Sequence, residues 1–204
     1  MLFTDLYNTI SAESNGEVKE RGSKFIAYAF PLKTEEEFKE RLATIKKEHY
    51  NAVHHCSAFV LGFGKEFQKF NDDREPSNSA GRPILRAILS KDLTNIGIVV
   101  VRYFGGKLLG VPGLIKAYED ASLAALEHAQ IVQIIIKEQY ELKVPYVMEN
   151  DAFRLVKQFG LKVLQHHQGD EITLIFEVRQ ADADKVLHAI KEKHPLKVRL
   201  YATK

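Results

Sequence analysis

The stretch Asn95–Ala129, NIGIVVVRYFGGKLLGVPGLIKAYEDASLAALEHA, predicts the central unit of the fold. Ile96–Val101 is a β-branched apolar run that only Gly97 interrupts, which is typical of a strand buried on both faces of a sheet. Pro112 suits the first turn of a helix, because its missing N–H would lack a partner there in any case. Apolar residues then recur at helical spacing, at Leu114, Ala117, Tyr118, Ala121 and Ala125. The stretch therefore predicts a strand, a glycine loop and a helix in succession.

The glycine loop, residues 104–110, combines turn-forming residues with cations. Gly105, Gly106 and Gly110 permit backbone conformations that a Cβ would forbid. Such a loop presents backbone N–H groups beside the positive end of a helix dipole. The charged and phenolic side chains around it are Arg102, Tyr103, Lys107 and Lys116. This pattern predicts an anion-binding site, although the same glycines would also serve only to close a tight turn. The Walker motif is absent, since Leu108 follows Lys107, and so is the dinucleotide glycine motif.

Length and composition are those of an ordinary globular protein. The 204 residues allow one large domain or two small ones, with 45% apolar and 27% charged residues. No apolar run approaches the ~18 residues of a membrane span, and the segment MLFTDLYNTI lacks the features of a signal peptide. Cys56 is the only cysteine, so no internal disulfide is possible. These features predict a cytoplasmic protein with no membrane partner.

Net charge limits the choice of partners. The formal net charge is +2, with 29 basic and 27 acidic residues. A nucleic-acid partner would have to be held by a local patch, because the overall basic charge typical of such proteins is absent. The composition predicts no particular oligomeric state.

The other elements of the first domain follow from local patterns. Residues 1–22 predict a frayed start followed by a hairpin that turns at Asn15-Gly16. Thr34 and Glu37 fit a capping box at the start of a helix. Further predictions, in chain order, are strands over Ser23–Leu32, His54–Phe63 and Phe67–Phe70, a helix that begins at Pro83, and a strand over Ile131–Ile136.

The strand that begins at His54 carries a cysteine between histidines and small residues. Neighbouring side chains on a strand face opposite sides, so His55 cannot directly activate Cys56, and a Cys-His hydrolase is not expected. Cys56 is predicted to be a core thiol. His54, at the mouth of the strand, is either a polar edge residue or part of a site.

Three carboxylates lie within four residues in the carboxylate loop, residues 72–76. Asp72, Asp73 and Glu75 are the kind of oxygen ligands that Mg²⁺ accepts. Clusters of this kind are more often solvated turns, and the EF-hand spacing is absent. These acids could also pair with Arg102 or Lys107 across a cleft. We therefore predict no cofactor and no defined metal site.

From Glu138 the pattern changes to short alternating elements that predict a second domain. Strand-like alternation over Tyr140–Tyr146 precedes a helix capped by Asn150, and a similar strand over residues 172–178 precedes a helix over Ala183–Ile190. With strands at residues 161–163 and 198–200, the order is βαββαβ, the ferredoxin-like split unit. The predicted fold class is α+β, with domains over residues 1–136 and 137–204.

Several strings in combination resemble the family of bacterial YigZ and eukaryotic IMPACT proteins. They are SKFI at 23–26, HHC at 54–56, NDDREP with SAGRPIL at 71–85, and VVVRYFGGKLLG with GLIKAY up to residue 118. The resemblance implies an IMPACT-type first domain with the fold of the second domain of a small-subunit ribosomal protein. It also implies a ferredoxin-like second domain similar to the last domain of elongation factor G. Eukaryotic members of the family regulate translation, whereas the bacterial members have no settled activity.

Two positions depart from the pattern of the family. Members typically have Asp-Gly-Glu-Pro where this chain has Arg74 as the second residue, and Gly-Gly where it has Pro112-Gly113. Arg74 introduces a side chain into a tight loop, and Pro112 removes one N–H donor from the proposed anion site. The resemblance implies a ligand-binding surface with no assigned catalytic residue, made of His54, Asp72, Asp73, Glu75, Arg102, Tyr103, Gly105, Gly106, Lys107 and Gly110, and Lys116 is added from the charge pattern.

Three functions from different classes remain open. The first is a translation-associated regulator that binds RNA, ribosomes or a translation factor through residues 102–110 and the carboxylate loop. The second is an Mg-dependent enzyme acting on a phosphorylated small molecule or nucleotide. The third is a protein-interaction module whose second domain, residues 137–204, binds the partner.

Overall fold

The computed structural model describes residues 5–192 and 196–203, so the part of the predicted frayed start on residues 1–4 lies outside the described residues. The strands are β1 Leu6–Ile10, β2 Ser14–Glu20, β3 Ser23–Pro31, β4 His54–Leu61, β5 Phe67–Asn71, β6 Ile96–Tyr103, β7 Ile131–Ile135, β8 Lys137–Val144, β9 Lys162–Gln168, β10 Ile172–Arg179 and β11 Lys197–Thr203. The helices are α1 Glu35–Glu48, α2 Gly81–Ser90, α3 Gly110–Glu127, α4 Glu149–Gln158 and α5 Gln180–Lys191.

The chain forms two compact units. One unit comprises Tyr7–Ile134, and the other contains residues from Ile135 onward together with Asp5 and Leu6. The first unit therefore begins after Leu6, whereas the predicted first domain starts at residue 1. Strands β1 and β7 pair in a small two-stranded sheet. No helix among the described residues is both long enough and apolar enough to cross a membrane.

The core of the first unit is a five-stranded antiparallel sheet. Its strand order is β2-β3-β6-β4-β5, so β6 occupies the central position. The predicted central strand is confirmed: Ile96, Ile98 and Val100 pack with α2 and α3 on one face, while Val99 and Val101 pack on the other face with α1. The predicted apolar stripe of α3 is buried against the same core. Because both faces of β6 are covered, its first seven residues are all buried.

The predicted turn at Asn15-Gly16 is wrong. Both residues lie inside β2, and the hairpin turns instead at Arg21-Gly22, where both residues have positive φ, 45° and 85°. Two consecutive residues with positive φ are the signature of a two-residue hairpin turn. Gly16 is a glycine for another reason: a Cβ there would lie 2.3 Å from the backbone nitrogen of Ala125 in α3.

The first helix begins as predicted, and the second begins earlier. Thr34 Oγ1 accepts a hydrogen bond from the Glu37 N–H at 3.2 Å, while Glu37 Oε2 accepts from the Lys33 N–H at 2.8 Å. The capping interaction of Thr34 is thus confirmed. Helix α2 begins at Gly81, two residues before the predicted start at Pro83.

The second unit contains the predicted βαββαβ order. Its four-stranded antiparallel sheet has the order β11-β8-β10-β9, with β8 and β10 at the centre. One prediction is wrong at the start of α4, because Asn150 lies within the first turn and makes no capping hydrogen bond. The chain enters this helix through a short 3₁₀ turn, Tyr146–Met148, so Tyr146 is not part of β8.

Candidate functional site

A buried ion pair joins the carboxylate loop to the central strand. Arg102 Nη1 donates to Glu75 Oε1 at 2.5 Å, and the Tyr118 hydroxyl donates to the same oxygen at 2.8 Å. Both charged side chains are nearly inaccessible, with 6% and 4% exposed. Of the pairings that the sequence left open, the one between Glu75 and Arg102 is therefore present. The expectation that Arg102 offers a free cation to a ligand is corrected, because Glu75 neutralises it.

The position of Arg102 follows from strand alternation. Its side chain lies on the α2–α3 face of β6, between the rings of Phe25 at 5.5 Å and Phe104 at 5.6 Å. Aromatic faces stabilise a guanidinium in this geometry. The buried Nε–H of Arg102 has no hydrogen-bond acceptor among the described residues. The guanidinium is thus packed and paired but not fully satisfied in its hydrogen bonds.

His54 adds a third polar group beside this pair. Its Nδ1 lies 2.8 Å from the carbonyl oxygen of Asp73, so Nδ1 carries a proton, since a carbonyl only accepts. Its Nε2 lies 3.7 Å from Glu75 Oε1. The hydrogen bond from Nδ1 orients the ring and holds Nε2 toward the ion pair.

Cys56 is a core thiol, as predicted. It is fully buried, and its Sγ donates to the carbonyl oxygen of Asp72 at 3.1 Å and lies 3.3 Å from the Tyr118 hydroxyl. Burial raises the pKa of the Cys56 thiol and, in the same way, that of the Tyr118 hydroxyl. Neither group is therefore prepared to act as a nucleophile at neutral pH.

The three carboxylates of the carboxylate loop do not converge. Asp72 accepts from the backbone N–H groups of Ala80 and Gly81 and thereby caps α2. Asp73 accepts from the backbone N–H of His55 at 2.7 Å, while Glu75 points into the ion pair. Each carboxylate thus has a separate structural partner. Within the described residues, no group of three or more His, Cys, Asp or Glu side chains is arranged to hold a metal ion.

The glycine loop is exposed but anchored at one end. A Cβ on Gly105 would lie 1.9 Å from the carbonyl carbon of Gly22 in the β2–β3 turn, and the Gly105 N–H donates to Ser23 Oγ at 3.2 Å. Gly105 therefore serves packing and has no free N–H for an anion. Gly106 and Gly110 have positive φ, 82° and 70°, and their missing Cβ atoms would face open space or only a distant ring atom.

Two of the predicted cations remain accessible. Lys107 is exposed at the tip of the glycine loop, and Lys116 is exposed on α3. Among the described residues neither forms an ion pair. Of the predicted cations, these two lysines rather than Arg102 are exposed to solvent.

Tyr103 is separated from the rest of the predicted site. It follows Arg102 on β6, so its side chain lies on the opposite face of the sheet. There its hydroxyl lies 2.8 Å from His49 Nδ1, and His49 Nε2 lies 2.7 Å from the Tyr28 hydroxyl. The prediction of Tyr103 as a ligand-binding residue is therefore corrected, because its hydroxyl contacts His49 at the C-terminal end of α1 instead.

A cleft that we call the Arg102 cleft opens between the glycine loop and the carboxylate loop. Its volume is about 410 Å³. Its polar floor is formed by His54, Glu75 and Arg102, and its apolar walls include Phe104, Leu108 and Val111. The sequence analysis did not predict these wall residues, although large apolar side chains beside glycines in an exposed loop are a pattern that indicates an apolar binding surface. Their exposed fractions are 48%, 83% and 46%.

Comparison with known proteins places this surface inside a shared domain. The Impact N-terminal domain matches residues 21–126, which contain every predicted site residue. The chain is similar to the IMPACT family member YvyE of Bacillus subtilis, with 34% identity over 87% of this chain and 82% of that protein. It is also similar to the IMPACT family member YigZ of Escherichia coli, with 36% identity over 70% of this chain and 71% of that protein.

A solved structure extends the likeness to nearly the whole chain. The crystal structure of a hypothetical protein aligns with a TM-score of 0.71 and 26% identity, over 97% of this chain and 98% of that one. The likeness therefore includes both compact units.

Proposed function

The chain belongs to the IMPACT family, and from this membership we propose that it is a translation-associated regulatory protein of the cytoplasm. The eukaryotic members of the family regulate translation, and this supports a role in translation for this chain. We also propose that the first unit has the fold of the second domain of a small-subunit ribosomal protein. The second unit would then resemble the last domain of elongation factor G.

The proposed partner is RNA, alone or within a ribosome, and the proposed contact is the glycine loop with α3. The observation that carries this proposal is the exposure of Lys107 and Lys116 without ion pairs among the described residues. Arg102 contributes no net charge because Glu75 neutralises it. Two phosphate contacts would give a modest salt dependence, with a slope of roughly −0.7 per contact on a single strand.

The alternative of an Mg-dependent enzyme receives no support from the geometry. Such a site requires carboxylate oxygens that converge on one point. Asp72 and Asp73 instead accept from backbone N–H groups on different elements. Their sequence proximity is thus explained by helix capping and strand anchoring.

The proposal is tested by binding of single-stranded RNA and of ribosomes at several salt concentrations. Lys107→Ala and Lys116→Ala should each weaken RNA binding several-fold and reduce the salt slope by about one contact. Lys47→Ala is the matched control, because Lys47 is an exposed lysine on α1, against the other face of the sheet. Its affinity should equal that of the unaltered protein. Absence of binding at low salt, or equal loss in all three variants, would refute the proposed contact.

A further inference from the structure

The Arg102 cleft has the size and lining of a small-ligand site. Its volume of about 410 Å³ lies within the range of roughly 300–1,000 Å³ found for ligand pockets. Apolar walls with a few convergent polar groups are the usual composition of such pockets. The cleft therefore suits a group with a largely apolar body and one polar edge.

The charge of the floor favours a neutral group. Arg102 and Glu75 form a buried pair with no net charge, and His54 adds no charge in its neutral form. A fully charged group entering the cleft would add an uncompensated charge to a poorly solvated place, which is unfavourable. The part of the ligand that reaches the floor should therefore be polar but uncharged.

The hydrogen bonds of the floor define that polar edge further. Among the described residues, Arg102 makes one side-chain hydrogen bond, from Nη1, so Nη2 has no acceptor there; Nε is also unpaired but is buried from solvent. The hydrogen bonds to Glu75 both end on Oε1, which leaves Oε2 without a donor among the described residues. The floor thus offers N–H donors next to a carboxylate acceptor. A complementary group carries an acceptor next to a donor, as the edges of nucleobases do.

The walls and the rim agree with a flat ring attached to a phosphate. Phe104 is 48% exposed, and the Arg102 guanidinium lies 5.6 Å from its ring centroid, so part of the ring remains available for stacking. Aromatic side chains and guanidinium planes are the usual platforms for unstacked RNA bases. Lys107 lies in the same loop, three residues from Phe104, where a phosphate next to the base would pass.

We propose that the Arg102 cleft binds one unstacked nucleobase, with its ring between Phe104 and the aliphatic walls and its edge on Arg102 and Glu75. This inference rests on the proposed function, since it names what the cleft takes from a bound RNA. The cleft would bind the same base whether that base belongs to an RNA strand or to a free nucleotide. The contact with the base is distinct from the contacts of Lys107 and Lys116 with phosphates.

The test compares a short single-stranded oligouridine with an abasic strand that has the same number of phosphates. The unaltered protein should bind oligouridine about 5-fold to 150-fold more tightly, which corresponds to stacking of one base. Phe104→Leu should lose most of this preference while its affinity for the abasic strand stays unchanged. Phe67→Leu is the matched control, because Phe67 is an exposed phenylalanine on the edge strand β5.

The outcomes separate this inference from the proposed function. Equal binding of the two strands by the unaltered protein would overturn the base cleft and leave the phosphate contacts standing. Failure to bind either strand at low salt would overturn both. Lys107→Ala should weaken the binding of both strands equally, so the ratio of the two affinities reports on the cleft alone.

A second measurement identifies the occupant without any mutation. Methyl resonances of Leu108 and Val111 should shift on addition of uridine or uridine monophosphate, and competition with the strand tells the free nucleotide from the RNA as the source. N-acetyl-leucinamide carries a comparable acceptor and donor on an apolar body and serves as a peptide probe. Shifts with this amide but not with the nucleosides would overturn the inference in favour of a polypeptide ligand.

Discussion

Among single residues, Arg74 adopts a backbone conformation that is poorly suited to a residue with a Cβ. Its φ is +71°, and Asp73 before it has a φ of +40°. The left-handed region disfavours a residue with a Cβ by about 1–2 kcal/mol. Glycine adopts that conformation without strain. The Arg74 Nη2 donates to the Val53 carbonyl at 3.3 Å, which offsets part of the strain.

We expect Arg74→Gly to be more stable than Arg74→Ala by about 0.5–1 kcal/mol in the free energy of unfolding. Both variants lose the side chain and its hydrogen bond, and only glycine relieves the strain. Urea unfolding of the two proteins measures the difference. An alanine variant as stable as the glycine variant would show that the loop carries no strain at this residue.

The polar residues that line the Arg102 cleft, His54, Glu75 and Arg102, could be predicted from the sequence, but their contacts and the apolar walls could not. Glu75 and Arg102 were correctly considered as a pair, because opposite charges flanked the same expected cleft. Asp72 and Asp73 were grouped with Glu75 by proximity, although their acceptor roles depend on backbone N–H groups elsewhere. His55 lies 18 residues from Asp73, and no local pattern indicates that contact.

Between elements, the contact of β2 with α3 depends on the absence of a side chain at Gly16. A Cβ there would lie 2.3 Å from Ala125 N and 2.6 Å from Ala124 C, and both are backbone atoms that cannot move alone. Ser14 Oγ strengthens the contact by donating to the Ala125 carbonyl at 2.8 Å. The strand and the helix therefore approach as closely as their backbones allow.

We expect Gly16→Ala to lower the free energy of unfolding of the first unit by about 2 kcal/mol or more, because the helix must move away from the sheet. Asn15→Ala on the exposed face of the same strand is the control and should change stability by less than about 0.5 kcal/mol. Thermal or urea unfolding of both variants gives the comparison. Similar stability of the two would contradict the close approach.

Elements with a long regular pattern were predicted well, and their ends were predicted poorly. The central strand β6, helix α3 and the βαββαβ order all follow from periodicity, which is a local property of the chain. The predicted turn at Asn15-Gly16 was wrong because Gly16 is required for close packing against α3, a helix more than a hundred residues away in the chain. The cap at Asn150 was wrong because a 3₁₀ turn shifts the start of α4.

For the whole molecule, the start of the chain contributes to the second unit. The Arg179 guanidinium donates to both carboxylate oxygens of Asp5, and the Ile136 N–H donates to the Asp5 carbonyl at 2.8 Å. The Ala181 N–H also lies 3.4 Å from the Asp5 carboxylate, at the first turn of α5. The hydrogen bond from Arg179 lowers the pKa of the Asp5 carboxyl below its usual value of 3.8.

A lowered pKa means that Asp5 stabilises the folded state when it is ionised. This contribution is present above the unfolded pKa and is lost as the pH falls through the folded pKa. We therefore expect Asp5→Asn to unfold at lower urea concentration than the unaltered protein near about pH 6, with the gap closing below about pH 4. Far-UV circular dichroism in urea follows both proteins. A gap that stays constant across this range would contradict the ionic role of Asp5.

The contact between Gly22 and Gly105 has a consequence for the evolution of the sequence. A Cβ on Gly105 would overlap the main chain of Gly22 at 1.9 Å, while a Cβ on Gly22 would lie 3.0 Å from the Gly105 carbonyl oxygen on a residue with a φ of +85°, so neither position can change freely. Related sequences that replace one glycine should show a compensating insertion, deletion or backbone change at the other. The hairpin tip and the lysine-bearing turn should thus evolve as a single linked feature.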